Sequence, residues 1–155
     1  MKKTNKLYFV LVIVVAILFL TGCFSEREPI NRADFITTME TAGFEIVDIS
    51  GQYDWANYVI LAVSPGWDYQ IEFYELASES DARRVFNGTR EQVESGSGSS
   101  SSHTSVSVAN YQRFTMTSGG LYAHLYQVGN TIIFVDWTDS EFRDEIRDLV
   151  GQFEN

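Results

Sequence analysis

Three apolar-rich segments near the end of this chain are separated only by turn-forming residues. The segments and the turns between them are 105–116, Gly119-Gly120, 121–128, Gly129-Asn130 and 131–137. Such short connections join antiparallel strands into hairpins, whereas parallel strands need a crossover of about a dozen or more residues. The spacing therefore predicts an antiparallel sheet and excludes a parallel α/β fold for this region.

Helical patterns surround these strands. Helices are predicted over 32–42 with Asn31 as N-cap, from Ser78 onward with a capping-box pattern, and from about Asp139 onward. Between the first two helices the pattern indicates a strand at 45–49 and a hairpin of 58–63 with 69–73, in which a Pro-Gly turn pairs Ile60 with Ile71. The order αβββαβββα predicts an α+β fold, an antiparallel β-sheet of about five to six strands with the helices packed on one face.

One low-complexity segment interrupts this pattern. Residues 95–102 are all serine or glycine, a composition typical of a flexible loop. The segment is too short to separate independent domains. Residues 32–155 are therefore expected to form a single domain that contains this loop.

The first 23 residues differ from the rest in charge and hydropathy. All three lysines of the chain lie in the first six residues, and an uncharged apolar run of 14 residues follows at 7–20. A membrane-spanning helix needs roughly 17–25 residues, so the run is short for a span but suits the apolar core of a signal peptide. The run is followed by Thr21, Gly22 and Cys23, the only cysteine, and this arrangement indicates an export signal.

The tetrapeptide Leu20-Thr21-Gly22-Cys23 resembles the lipobox of bacterial lipoproteins. The resemblance implies cleavage between Gly22 and Cys23 and attachment of acyl chains such as palmitate to Cys23. Residues 1–22 would then be the signal peptide, and 23–31 would be the lipidated cysteine and its tether. In an alternative interpretation the leader is an uncleaved anchor and Cys23 is incidental. Both predict a domain at the cell membrane that faces outside the cytoplasm, because the positive end of the leader stays inside.

Charge and cysteine content limit the partners. Cleavage would remove every lysine and leave eight arginines against 21 acidic residues, a formal net charge of −13. Nucleic-acid binding calls for a basic surface, so no nucleic-acid partner is expected. A lone cysteine excludes an internal disulfide, and no pattern for a metal or another cofactor occurs. The predicted partners are the membrane, through Cys23, and a protein or small ligand at an exposed sheet face.

The candidate ligand face lies on the last predicted hairpin. A two-residue turn at Gly129-Asn130 pairs Tyr122 with Trp137, His124 with Val135 and Tyr126 with Ile133. One sheet face would then carry Tyr122, His124, Tyr126 and Trp137, an aromatic cleft with one titratable group. The alternative is ordinary cross-strand aromatic packing in the core.

No catalytic residue is identified, because the sequence contains no nucleophile-elbow motif and no other pattern typical of an active site. Segment 131–137 with the helix after it is similar to the ending of many small uncharacterised Gram-positive lipoproteins, a resemblance that implies no active site. We therefore expect a non-catalytic binding or interaction domain at the cell envelope. Two alternatives are an envelope hydrolase that uses His124 with a carboxylate, and an accessory subunit of a membrane transporter or sensor.

Overall fold

The computed structural model describes residues 26–98 and 100–154. The predicted signal peptide, its predicted cleavage site at Gly22 and the predicted lipidation site Cys23 lie outside the described residues, so those expectations stay predictions. No helix among the described residues is both long enough and apolar enough to cross a membrane.

Three helices and seven strands make up the described chain. The helices are α1 (Arg32–Thr41), α2 (Glu79–Gly96) and α3 (Arg143–Gly151). The strands are β1 (Glu45–Asp48), β2 (Tyr58–Val63), β3 (Gln70–Glu75), β4 (Ser101–Val108), β5 (Tyr111–Ser118), β6 (Leu121–Val128) and β7 (Thr131–Asp139). Short 3₁₀ turns at Ser50–Gln52 and Ser140–Phe142 complete the order αβββαββββα.

The strands form one antiparallel sheet in the order β1-β2-β3-β7-β6-β5-β4. The predicted α+β class is confirmed, but the sheet has seven strands rather than five to six. The additional strand arises because the predicted segment 105–116 contains a turn at Ala109-Asn110 that separates β4 from β5. Ala109 adopts φ of +48°, a conformation uncommon for alanine, and no glycine marks this turn in the sequence.

Helices cover both faces of the sheet, which corrects the prediction of one covered face. Phe35 of α1 and Ile146 of α3 belong to one core cluster, whereas Phe86 of α2 belongs to a second cluster on the opposite face. The central strand β6 supplies Tyr126 to the first cluster and Leu125 to the second. Because every residue of β6 after Leu121 is buried, each of its faces needs a helix against it.

The capping residues follow the sequence prediction. Asn31 accepts hydrogen bonds from the backbone N–H groups of Ala33 at 2.8 Å and Asp34 at 3.4 Å. Ser78 accepts the N–H of Asp81 at 3.1 Å and begins α2. The helix extends to Gly96 and β4 begins at Ser101, so the connection is shorter than the predicted loop 95–102.

The predicted tether 23–31 is docked on the sheet from Arg27 onward. Asn110 accepts the Arg27 N–H at 2.9 Å and donates to the Arg27 carbonyl at 2.7 Å. The Arg27 guanidinium donates to the Tyr126 hydroxyl at 3.0 Å and lies 3.9 Å from the centre of the Tyr111 ring. These contacts, called the Arg27 clamp below, fix the start of the domain at one end of the sheet.

Candidate functional site

Three of the four predicted ligand-face residues lie together. Tyr122, His124 and Tyr126 project from the same face of β6, beneath α1 and α3, and each is at most 2% exposed. The pairs His124–Val135 and Tyr126–Ile133 occur as predicted. The aromatic cluster is therefore real, but most of its surface belongs to the core.

Trp137 lies on the opposite face, which corrects its place in the predicted ligand face. Two residues of β7, Asp136 and Trp137, oppose the single Ala123 of β6, so Tyr122 pairs with Thr138 instead. This β-bulge shifts the alternation of side chains, and Trp137 packs with the α2 cluster. The Asp136 carboxylate accepts the Trp137 N–H at 2.8 Å, which stabilises the bulge.

A groove of about 420 Å³ opens beside His124, between α3 and the β4–β6 part of the sheet. We call it the His124 groove. It is lined by Ser102, His103, Thr104, Arg113, Thr115, Thr117, Tyr122, His124, Arg143, Arg147, Asp148, Gly151 and Glu154.

The alternation of β5 explains why the groove is polar. Phe114 and Met116 point into the α2 cluster, so Arg113, Thr115 and Thr117 occupy the other face. The short helix α3 packs by Ile146 against the aromatic side of the same face. The sheet surface beyond α3 is therefore lined by hydroxyl and guanidinium groups, and it forms one wall of the groove.

His124 is held at the buried end of the groove. Its Nδ1 atom lies 3.1 Å from the Tyr122 hydroxyl, whereas its buried Nε2 atom has no hydrogen-bond partner among the described residues. Burial, together with the positive charges of Arg113 and Arg147, lowers the pKa of His124 to about 3. Burial also raises the pKa of Tyr122 to about 12, so both groups are neutral at physiological pH.

The charged side chains of the groove are loosely paired, with one exception. Arg113 donates to Glu154 at 2.8 Å. Arg143 and Arg147 share one Asp144 oxygen, at 3.3 and 3.9 Å respectively, and the Asp144 side chain is 77% exposed. Exposed pairs of this kind contribute at most about 1 kcal/mol, so an incoming ligand could replace them.

The sequence analysis did not identify Arg113, Arg143 and Arg147 as site residues, because only the fold brings them to one groove. Arg143 and Arg147 are one helical turn apart, a spacing that places them on one side of α3, and Arg113 meets them only through the sheet. His103 lies in the exposed edge strand β4, not in a loop, and stacks on Phe114 at 5.9 Å.

Comparison with known proteins adds no relative. A scan of protein-family models, a search of curated proteins and a search of solved structures each returned no match. Among the residues that the structure describes, no group of three His, Cys, Asp or Glu side chains could hold a metal ion.

Proposed function

We propose that the chain is a lipid-anchored extracytoplasmic binding domain without a catalytic role, and that its ligand occupies the His124 groove. The observation that carries this proposal concerns His124, which lines the groove and whose buried Nε2 atom has no hydrogen-bond partner within residues 26–98 and 100–154. An unpaired buried polar atom costs about 1–3 kcal/mol, a cost that a ligand hydrogen bond would remove. The lipobox-like residues that end at Cys23 support the proposed location at the outer side of the cell membrane.

Binding is favoured over hydrolysis by the environment of His124. A general base works best with a pKa near the operating pH, and burial lowers the pKa of His124 to about 3. Its hydrogen-bond partner is the Tyr122 hydroxyl rather than a carboxylate. The imidazole is therefore suited to recognise a ligand and is poorly suited to remove a proton from water.

The Arg27 clamp supports a fixed position at the membrane. Arg27 is the fourth residue after Cys23, and four residue steps reach at most about 14 Å. The groove residues His124 and Tyr122 precede Tyr126 in β6 by two and four residues, so they lie about 7 and 13 Å along the strand from the clamp. The groove would then lie on the membrane-distal side of the clamp, where a ligand from outside can enter.

A stability comparison tests whether the His124 groove is a site or ordinary core. The double substitution Tyr122→Phe/His124→Leu removes both polar groups and keeps similar volumes. We expect it to raise the free energy of unfolding by about 1–2 kcal/mol in ligand-free protein, because the unpaired Nε2 is gone. Urea denaturation of the full chain in detergent measures the change.

Thr131→Val provides the matched control. Thr131 is also buried, but its hydroxyl accepts the Ile30 N–H at 3.0 Å and donates to the Val128 carbonyl at 2.8 Å. This substitution should therefore destabilise the domain by about 1–3 kcal/mol. If the double variant loses as much stability as Thr131→Val, His124 serves the core and the proposal is wrong.

The anchor is tested separately in cells. Globomycin treatment or Cys23→Ala should cause the unprocessed precursor to accumulate, because both prevent cleavage before a lipidated cysteine. Immunoblotting of membrane fractions follows the size of the chain. Unchanged processing under both conditions would contradict lipid anchoring.

A further inference from the structure

Arginine is concentrated at the His124 groove in an otherwise acidic chain. Three of the eight arginines outside the leader, Arg113, Arg143 and Arg147, line the groove, together with the carboxylates of Asp148 and Glu154. With neutral His124, the lining carries a net charge of +1, whereas residues 23–155 carry −13. The groove is therefore a locally positive site on a negative domain.

We propose that the His124 groove binds a small molecule through a carboxylate or phosphate group, with Arg113 and Arg147 beside the anion and His124 donating to it. This inference depends on the proposed function, since it names the ligand class of the same site. The three groups come from three elements, β5, α3 and β6, which each contribute a lining residue to this groove.

The hydrogen-bond direction at His124 favours an acceptor ligand. The 3.1 Å contact between the Tyr122 hydroxyl and His124 Nδ1 fits either atom as the donor. We infer that Tyr122 donates, because a phenol hydroxyl is a strong donor and an unprotonated imidazole nitrogen is a strong acceptor. This direction places the single proton of the neutral imidazole on Nε2, which has no hydrogen-bond partner in the described part of the chain. A buried N–H donor beside two guanidinium groups is complementary to an oxyanion, not to a cation.

The arginines can reorganise around an anion at low cost. Arg147 approaches Asp144 only to 3.9 Å, and Arg143 shares the same carboxylate oxygen. Glu154 holds Arg113 in place at 2.8 Å and leaves other donors of its planar fork for a ligand. Thr115 pairs with His124 across β5 and β6, and Thr104 pairs with Thr115, so a row of hydroxyls continues from the imidazole. This row suits a ligand that carries hydroxyl groups beside its anion.

A titration followed by ¹⁵N NMR tests the inference on the full chain in neutral detergent, with histidine labelled. The probes are inorganic phosphate, glucuronate, glucose and glucosamine at constant pH and ionic strength, and the spectrum of His124→Gln identifies the signals that belong to His124. We expect phosphate or glucuronate to shift the His124 Nε2 resonance saturably, while glucose and glucosamine leave it unchanged. The phosphate and glucuronate arms decide between the two anion types.

Charge-removing substitutions give the matched control. Arg147→Gln should weaken binding of the active anion about ten-fold or more, because a charge-assisted hydrogen bond is lost. Arg84→Gln removes an exposed arginine of α2 that does not line the groove, and it should leave the affinity unchanged. Equal losses for both variants, or no response to either anion, would overturn the inference.

The outcomes also separate this inference from the proposed function. A saturable His124 shift with glucose or glucosamine, and none with the anions, would keep the groove as a site and reject the anionic class. A double variant as destabilised as Thr131→Val would instead reject the site itself.

Discussion

The buried side chain of His124 takes part in a hydrogen bond, in the packing of the domain and in the lining of the groove. Its Nδ1 atom contacts Tyr122, its ring packs below α3, and its Nε2 atom lies beside a groove whose charged groups are Arg113, Arg143, Arg147, Asp148 and Glu154. Burial and the nearby arginines lower its pKa from 6.5 to about 3. The folded domain therefore holds a neutral imidazole at a pH where the unfolded chain would be protonated.

This pKa shift predicts a pH-dependent stability. The pKa of His124 is lower in the folded than in the unfolded chain, so only the unfolded chain binds a proton between about pH 6.5 and pH 3. The free energy of unfolding is therefore highest above about pH 6.5 and falls as the pH decreases toward 3. The expected loss between pH 7 and pH 5 is about 2 kcal/mol. Urea denaturation at both pH values should show this loss in the natural chain and a correspondingly smaller one in His124→Gln. The same pH response in both proteins would contradict a depressed His124 pKa.

At the level of elements, the β-bulge of β7 decides which side chains share the site. Asp136 and Trp137 together oppose Ala123, and this moves Trp137 to the α2 face. The freed Trp137 N–H is satisfied by the Asp136 carboxylate at 2.8 Å. The bulge therefore separates Trp137 from the His124 groove.

Two substitutions test this role of Asp136. Asp136→Ala removes the acceptor and should lower the free energy of unfolding by about 0.5–1.5 kcal/mol. Asp136→Asn keeps a side-chain oxygen in the same position and should cost less than half as much. Chemical denaturation measures both, and equal costs would show that the carboxylate charge, rather than the hydrogen bond, stabilises the bulge.

The sequence was informative where local chemistry decides the structure. Glycine-containing turns predicted the hairpins around Gly119-Gly120 and Gly129-Asn130, and both occur. The β2–β3 register was wrong: Ile60 pairs with Phe73 rather than Ile71, because Trp67 adopts φ of +62° and the connection is longer than the predicted turn. No residue pattern marks such a conformation of tryptophan.

The candidate site was only partly predictable for a related reason. Tyr122, His124 and Tyr126 follow from the alternation of one strand. Arg113 and Arg147 join them only when β5 pairs with β6 and α3 folds back over the sheet, and these are long-range contacts. The bulge that removes Trp137 depends on the packing of α2, which the local pattern does not encode.

On the scale of the whole molecule, the Arg27 clamp connects the predicted tether to the folded domain. It ties residue 27 to Asn110 and Tyr126 at one end of the sheet. The strand pairing puts Tyr58 at that same end, and Trp67 in the β2–β3 connection at the opposite end. If Cys23 is lipidated, the domain has a membrane-proximal end and a membrane-distal end.

This geometry predicts a fixed orientation on vesicles. A fluorescent donor on Trp55→Cys, just before β2, should transfer energy to headgroup-labelled lipid more efficiently than the same donor on Trp67→Cys. The ends of β2 differ by about 20 Å, which separates the two labels. Adding Arg27→Ala and Asn110→Ala to each labelled variant removes the clamp and should reduce the difference in transfer efficiency between the two labels. Equal transfer from both labels with the clamp intact would contradict a fixed orientation.

The site proposed for this domain depends most directly on the protonation state of His124. A ¹⁵N NMR spectrum of the histidine-labelled full chain at pH 5, with His124→Gln to identify the His124 signals, determines that state in one measurement. We predict a neutral His124 ring with its proton on Nε2 and an unprotonated Nδ1 that accepts from Tyr122. An imidazolium at that pH, or a proton on Nδ1, would contradict the buried donor that the His124 groove is proposed to offer its ligand.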